Sequence, residues 1–182
     1  MGQARAAVCT AARAGLSPAQ ILAVVDAQLA GAILDQDDGD IDLHRFATAV
    51  VAVSDPGRTQ LRVASAGHLP LIVWPANGPA RPLWAPRGPP LGLELGPYQE
   101  VTLALHPGDT VLAYTDGLAE DRQVGFGDGI DRLAGIVGAA AAEGDVEGLA
   151  DAVLTRMERT PGPNEDDIAL LVVRIDPGSG KT

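Results

Sequence analysis

Residues 46–66 read Phe46-Ala47-Thr48-Ala49-Val50-Val51-Ala52-Val53-Ser54-Asp55-Pro56-Gly57-Arg58-Thr59-Gln60-Leu61-Arg62-Val63-Ala64-Ser65-Ala66. Two runs of strand-forming residues flank Asp55-Pro56-Gly57-Arg58, a segment with the proline and glycine of a turn. The second run alternates, with Leu61 and Val63 on one side, which is the period of a pleated strand. A β-hairpin is the expectation. Antiparallel hairpins, with helices grouped in sequence rather than one after every strand, predict an α+β layered domain.

On the N-terminal side, residues 2–14 are rich in Ala and Arg and stop at Gly15, which predicts a helix with a glycine cap. Ser17-Pro18 then supplies an N-cap and a first-turn proline for a second helix. Its residues Ile21, Leu22, Val25 and Leu29 recur at helical steps on one face, predicted to pack on a sheet. Between this helix and the hairpin lies Asp35-Gln36-Asp37-Asp38-Gly39-Asp40-Ile41-Asp42. A calcium loop starting at Asp35 needs glycine where Asp40 stands and a bidentate Glu where Phe46 stands, so the segment reads as a solvated acidic connection.

On the C-terminal side, residues 69–74 predict a short strand, and the Pro- and Gly-dense residues 75–90 a long loop without regular structure. Residues 98–105 and 110–115, joined by His106-Pro107-Gly108-Asp109, predict a second hairpin. Two helices follow at 128–142 and 146–159, the second capped by Asp145, and then a buried strand at 168–175. The reading gives a single domain over residues 1–175. The tail 176–182 is expected to be flexible, since its final Gly180-Lys181-Thr182 lacks the first glycine and the following helix of a phosphate loop.

The whole chain has 182 residues, of which 46% are hydrophobic, enough for one domain with a core. Asp and Glu number 24 against 13 Lys and Arg, and the net charge of -11 repels polyanions, so nucleic acid is not an expected partner. The single cysteine, Cys9, forms no internal disulfide, and no Cys/His spacing suits zinc. With no apolar stretch near the ~20 residues of a membrane span, the expected setting is cytoplasmic and off the membrane.

Two acidic edges carry the chemistry. Val111-Leu112-Ala113-Tyr114-Thr115 runs into Asp116-Gly117, and Asn164-Glu165-Asp166-Asp167 runs into the apolar residues from Ile168. Each alone has a plainer reading, an Asp-Gly turn or acids facing water. Two carboxylate edges beside two strands suggest a metal site. His68 follows Gly67 in a turn and reads as a loop-fixing residue rather than a general acid. Trp74 and Trp84 read as packing groups around the Pro/Gly loop.

The ordered strings Ala64-Ser65-Ala66-Gly67-His68-Leu69-Pro70, Gly88-Pro89-Pro90-Leu91-Gly92, Pro107-Gly108-Asp109, Tyr114-Thr115-Asp116-Gly117-Leu118-Ala119-Glu120 and Asp166-Asp167-Ile168-Ala169 sharpen this. Together with Phe46-Ala47-Thr48-Ala49, the chain resembles a bacterial PPM-type (protein phosphatase 2C-like) serine/threonine phosphatase domain of the SpoIIE/RsbU group. The resemblance implies a layered α-β-β-α sandwich of two mainly antiparallel sheets flanked by helices. It also implies two Mn²⁺ or Mg²⁺ ions held by aspartates, activating water for attack on a phosphoserine or phosphothreonine. Asp116 and Asp166 correspond to metal-ligating, catalytic aspartates. Gly117 lets the backbone turn near the ion, Asp167 orients the shell, and Glu120 bonds neighbouring backbone.

The departure from that group lies at the start of the chain, where the early Gly-Asp strand and the Gly-Asp-x-x-Gly-His-Gly segment have no counterpart. The domain therefore reads as N-terminally truncated, with part of the metal shell absent and metal binding weak. An exposed sheet edge would favour self-association. The functional expectation is a phosphoprotein phosphatase acting on a protein such as an anti-anti-sigma factor. The alternative is a catalytically silent, partner-binding module of the same fold.

Overall fold

The computed structural model describes residues 2–34, 46–119, 126–140, 145–157 and 167–176. Helix α1 spans Gly2–Arg13 and α2 spans Pro18–Leu34. At the end of α1, the Gly15 N–H donates to Ala12 O and the Leu16 N–H to Ala11 O, at 3.0 and 3.1 Å. This pair of bonds requires the left-handed backbone that Gly15 adopts at φ 77°. The start of α2 is closed reciprocally. The Gln20 N–H donates to Ser17 Oγ at 3.4 Å while the Ser17 N–H donates to Gln20 Oε1 at 2.9 Å.

The chain divides into two compact units, Met1–His68 with Ala85–Ala104, and Leu69–Trp84 with Leu105–Thr182. In the first, β1 (Ala49–Ser54) and β2 (Gln60–Ala66) form the expected hairpin in register Ala49↔Ala66 to Ser54↔Leu61. The Asp55 carboxylate organises its turn, accepting from the N–H groups of Gly57, Thr59 and Gln60. Those bonds, the one from Gln60 foremost, hold the Asp55 carboxyl below its ordinary pKa. The other edge of β2 takes β6 (Glu100–Ala104), antiparallel, and the two-residue β5 (Arg87–Gly88), parallel. Ile21, Leu22 and Val25 of α2 pack with Ala64 and Ala66 of β2 and with Ala7 and Ala11 of α1. Each large aliphatic side chain buried this way stabilises the unit by about 1.5–3 kcal/mol.

The second unit contains a sheet in the order β4-β3-β7-β8, with β4 at Arg81–Leu83, β3 at Leu71–Trp74, β7 at Thr110–Tyr114 and β8 at Leu170–Arg174. All its pairings are antiparallel. Helix α4 (Phe126–Ala139) contributes Ile130, Leu133 and Val137, and α5 (Val146–Met157) contributes Leu149, Val153 and Met157. These six close on Ile72, Leu112 and Tyr114 of the sheet. Among the described residues, no helix is long and apolar enough to cross a membrane. The α+β class with two mainly antiparallel sheets and packed helices is the architecture observed.

Three expectations are corrected. Residues 98–105 and 110–115 are not a hairpin, because β6 pairs with β2 in the first unit and β7 with β3 and β8 in the second. Non-local pairing overrides the turn between them. The Pro/Gly segment 75–90 is not without regular structure, since it holds β4 and β5; Pro82 sits in β4, which pairs only with β3 among the described residues, an edge position where a missing N–H costs no ladder bond. Nor is β8 buried. It pairs only with β7 among the described residues, and Leu171 and Val173 on one face are 61% and 44% exposed. Its other face, Leu170 and Val172, packs against the core.

Candidate metal centre

Strand β7 ends at Tyr114, and its partner β8 begins at Leu170, which lies directly opposite. Antiparallel pairing therefore brings the residues just after Tyr114 beside those just before Leu170. On one side the chain turns at Thr115 into α3, the single helical turn Asp116–Ala119, which the sequence reading did not anticipate. On the other side stand Asp167, Ile168 and Ala169. The two acidic edges meet at one end of one strand pair.

Thr115 joins them. Its N–H donates to Ala169 O at 3.0 Å, as the next rung of the ladder should. Its carbonyl instead accepts from the Leu118 N–H at 3.0 Å, the bond that starts α3. The Ala169 N–H is thereby diverted to Thr115 Oγ1 at 2.8 Å, and the same hydroxyl donates to Asp167 O at 2.9 Å. One hydroxyl thus replaces a backbone acceptor that the strand-to-helix transition removes, and adds a second tie.

Asp116 is exposed, and its Oδ1 accepts from the Gly117 N–H at 3.1 Å. Gly117 is buried within the helical turn and is not among the positive-φ glycines, so its backbone does not need glycine's left-handed freedom. Asp167 is exposed as well. Asp166 and Glu120 lie outside the described residues, as does the acidic segment 35–42.

Other carboxylates are committed elsewhere. Asp26 on α2 is buried and accepts from the N–H groups of Gly92 and Glu94, at 2.6 and 3.4 Å, anchoring the segment after Pro89-Pro90-Leu91. Burial first, and the adjacent Asp26 second, hold the Tyr98 phenol well above its ordinary pKa. Asp109 is also buried, accepting from Ala76 and His106 N–H groups. The His68 turn is closed by Ser65, whose Oγ donates to His68 O and accepts from His68 N–H, both at 3.1 Å. Trp74 is half-buried with the Arg174 guanidinium 6.0 Å over its ring, whereas Trp84 is 49% exposed.

The donor type suits a hard divalent cation, which prefers carboxylate and water oxygens. The donors among the described residues do not complete a shell. Among the described residues, no three His, Cys, Asp or Glu side chains converge on a point. Sequence reasoning found the acids and missed Thr115, for which the available signal was a hydroxyl residue immediately before the acid that leaves the strand.

Solved structures with the same architecture connect this geometry to known proteins. The RsbU and RsbW domains of a Mycobacterium tuberculosis protein superpose with a TM-score of 0.79 at 24% identity, over 97% of this chain. The SiaA PP2C domain of Pseudomonas aeruginosa gives 0.70 at 26% identity, covering 95% of this chain and 68% of its own. The PP2C phosphatase domain of Bacillus subtilis SpoIIE, solved with a fragment of its regulatory domain, gives 0.70 at 18% identity over 96% of this chain. The chain spans 47% of the first of these and 49% of the third. No curated protein matches it in sequence. The family model for stage II sporulation protein E matches residues 1–176, and the chain belongs to this SpoIIE family, with its PPM-type phosphatase-domain fold.

Proposed function

We propose that the chain is the metal-dependent phosphatase domain of a signalling protein, removing phosphate from serine or threonine of a protein substrate, with an anti-anti-sigma factor as the expected class. The observation that carries this reading is the meeting of the Asp116 and Asp167 segments at one end of the β7–β8 pair. Asp116 and Asp166 are the proposed ligands of Mg²⁺ or Mn²⁺, with Asp167 orienting the shell. A bound ion of this kind supplies an activated water and offsets phosphate charge. A solved SpoIIE phosphatase domain was presoaked with manganese, which supports the choice of metal. Completing the shell requires carboxylates additional to these.

A second reading is favoured by the donors among the described residues, where no three acids converge: a silent module of the same fold that binds a signalling partner without hydrolysis. Both readings place the chain in the cytoplasm as one domain over residues 1–175. Self-association is proposed through an outer sheet edge, since β1 pairs only with β2 and β8 only with β7 among the described residues.

Mn²⁺-dependent release of phosphate from a phosphoserine protein, compared between this chain and Asp116→Asn, separates the readings. Hydrolysis that falls at least about 100-fold in Asp116→Asn is expected of a ligand to a catalytic ion. Hydrolysis unaffected by Asp116→Asn removes Asp116 from the site. No hydrolysis, with partner binding retained, selects the silent module.

A further inference from the structure

We infer that Thr115 is a positioning residue whose hydroxyl sets the register between Asp116 and Asp167. This rests on the proposed metal site and assigns the part of the chain that holds its two edges together. The reasoning begins with a conflict in the backbone. Thr115 is the last residue able to pair with β8 and the first able to accept a bond from α3, and its one carbonyl turns to Leu118. Without another acceptor, the exposed Ala169 N–H just before β8 would turn to water, and the tie between this segment and β7 would lose one of its bonds.

The Thr115 hydroxyl resolves this by accepting from Ala169 at 2.8 Å while donating to Asp167 O at 2.9 Å. The donor and acceptor capacities of a hydroxyl are both used, and they grip the backbone on either side of Ile168. The grip falls one residue before Asp116 and on the backbone of Asp167 itself. Any displacement of Asp167 along the direction of β8 breaks both bonds. A ligand set built from two chain segments needs such a register, because carboxylates must sit within a few tenths of an ångström of their productive places.

Ser65 shows that the device is not a general requirement of strand ends. Its hydroxyl makes the same two-way bond, but to the N–H and carbonyl of one residue, His68, three positions along. That closes a local turn. Thr115 instead spans 52 and 54 positions, linking segments that nothing local holds together.

The test uses the full chain with Thr115→Val, which removes the hydroxyl at nearly constant shape, and Thr115→Ser, which restores it. Mn²⁺ is titrated while backbone amide signals are followed by NMR, since paramagnetic broadening reports the ion's location without requiring turnover. Wild type is expected to broaden at Gly117 and at residues 167–169 over the same Mn²⁺ range. In Thr115→Val the required Mn²⁺ should rise about 10-fold, the lower end for loss of a group that orients ligands, with Thr115→Ser returning it to the wild-type range. Amide exchange at Ala169 in wild type is a second reading independent of any variant's folding. Protection like that of the β8 ladder is expected, and free exchange there overturns the inference.

Thr115→Val indistinguishable from wild type in Mn²⁺ range and Ala169 exchange would overturn it too, as would Thr115→Ser failing to restore either. Provided that Asp116→Asn still abolishes the broadening, the metal site itself then stands. If wild type shows no broadening at either segment, the proposed metal site is wrong and the positioning role falls with it.

Discussion

Asp109 and Asp116 stand at opposite ends of β7, one immediately before Thr110 and the other just beyond Tyr114. Asp109 is 5% exposed, and its two oxygens accept from the Ala76 and His106 N–H groups, each at 2.9 Å. Asp116 is exposed, and its described bond is to the N–H of its own neighbour, Gly117. The first carboxylate is occupied by the fold, tying the turn after β3 to the turn before β7. The second has lone pairs facing water. A carboxylate's availability to a metal is therefore set by what the surrounding backbone leaves unpaired, and the amino-acid type alone does not decide it.

The largest expected effect tests that division directly. Asp109→Ala strands two backbone donors and should destabilise the chain by about 2–4 kcal/mol in urea denaturation. Asp116→Ala should change stability by less than about 0.5 kcal/mol, as surface substitutions usually do. Equal losses at the two positions would erase the distinction between a structural and a functional carboxylate.

A smaller effect probes what lies behind Asp116. The Cβ of an alanine at Gly129 would collide with the Ala119 carbonyl oxygen, so α4 rests on the end of the turn that carries Asp116. Gly129→Ala must push the two apart, costing about 1–3 kcal/mol, and should shift the amide signals of Asp116–Ala119. Gly127, two positions earlier, has open space, and Gly127→Ala should be neutral or stabilising by up to about 1 kcal/mol. If Gly129→Ala leaves those amide signals in place, the Asp116 turn is not held from behind.

Sequence made one end of this comparison readable and hid the other. The helix stop at Gly15, the start at Ser17 and the turn at Asp55 are local, each using partners within five residues, so composition and spacing disclosed them. The acids Asp116 and Asp167 were likewise visible as carboxylates flanking apolar runs. Asp109 looked like one more turn residue, because its partner Ala76 lies 33 positions away. Alternation reveals which face of a strand is apolar and not which strand lies beside it, so the sequence predicts β6 beside β7 where the structure pairs it with β2. In β8, Leu170-Leu171-Val172-Val173 is apolar throughout, so nothing marked the face that is exposed. The role of Thr115 depends on a carbonyl being captured by Leu118, and α3 is too short to announce itself.

The smallest effect lies at Tyr114, whose backbone leads to Asp116 while its ring is buried with the core of the second unit. Its hydroxyl has no hydrogen-bond partner among the described residues. Burial holds the phenol well above its ordinary pKa of about 10, because ionisation there would leave a charge in an apolar setting. A folded-state pKa above the unfolded one means the stabilisation is fully present below about pH 10 and is lost as pH rises further, since the unfolded phenol ionises first. Tyr114→Phe removes both the unpaired hydroxyl and its titration. At pH 7 it should be neutral or stabilising by up to about 1 kcal/mol, and above pH 10 its stability should decline less steeply than that of wild type. Tyr98→Phe serves as a reference, because that phenol is also raised but lies in the other unit. A loss of more than about 1 kcal/mol in Tyr114→Phe at pH 7 would show that the hydroxyl has a partner. This end of β7 would then hold a buried polar contact of the kind found at Asp109, and the contrast between the two ends would be one of degree.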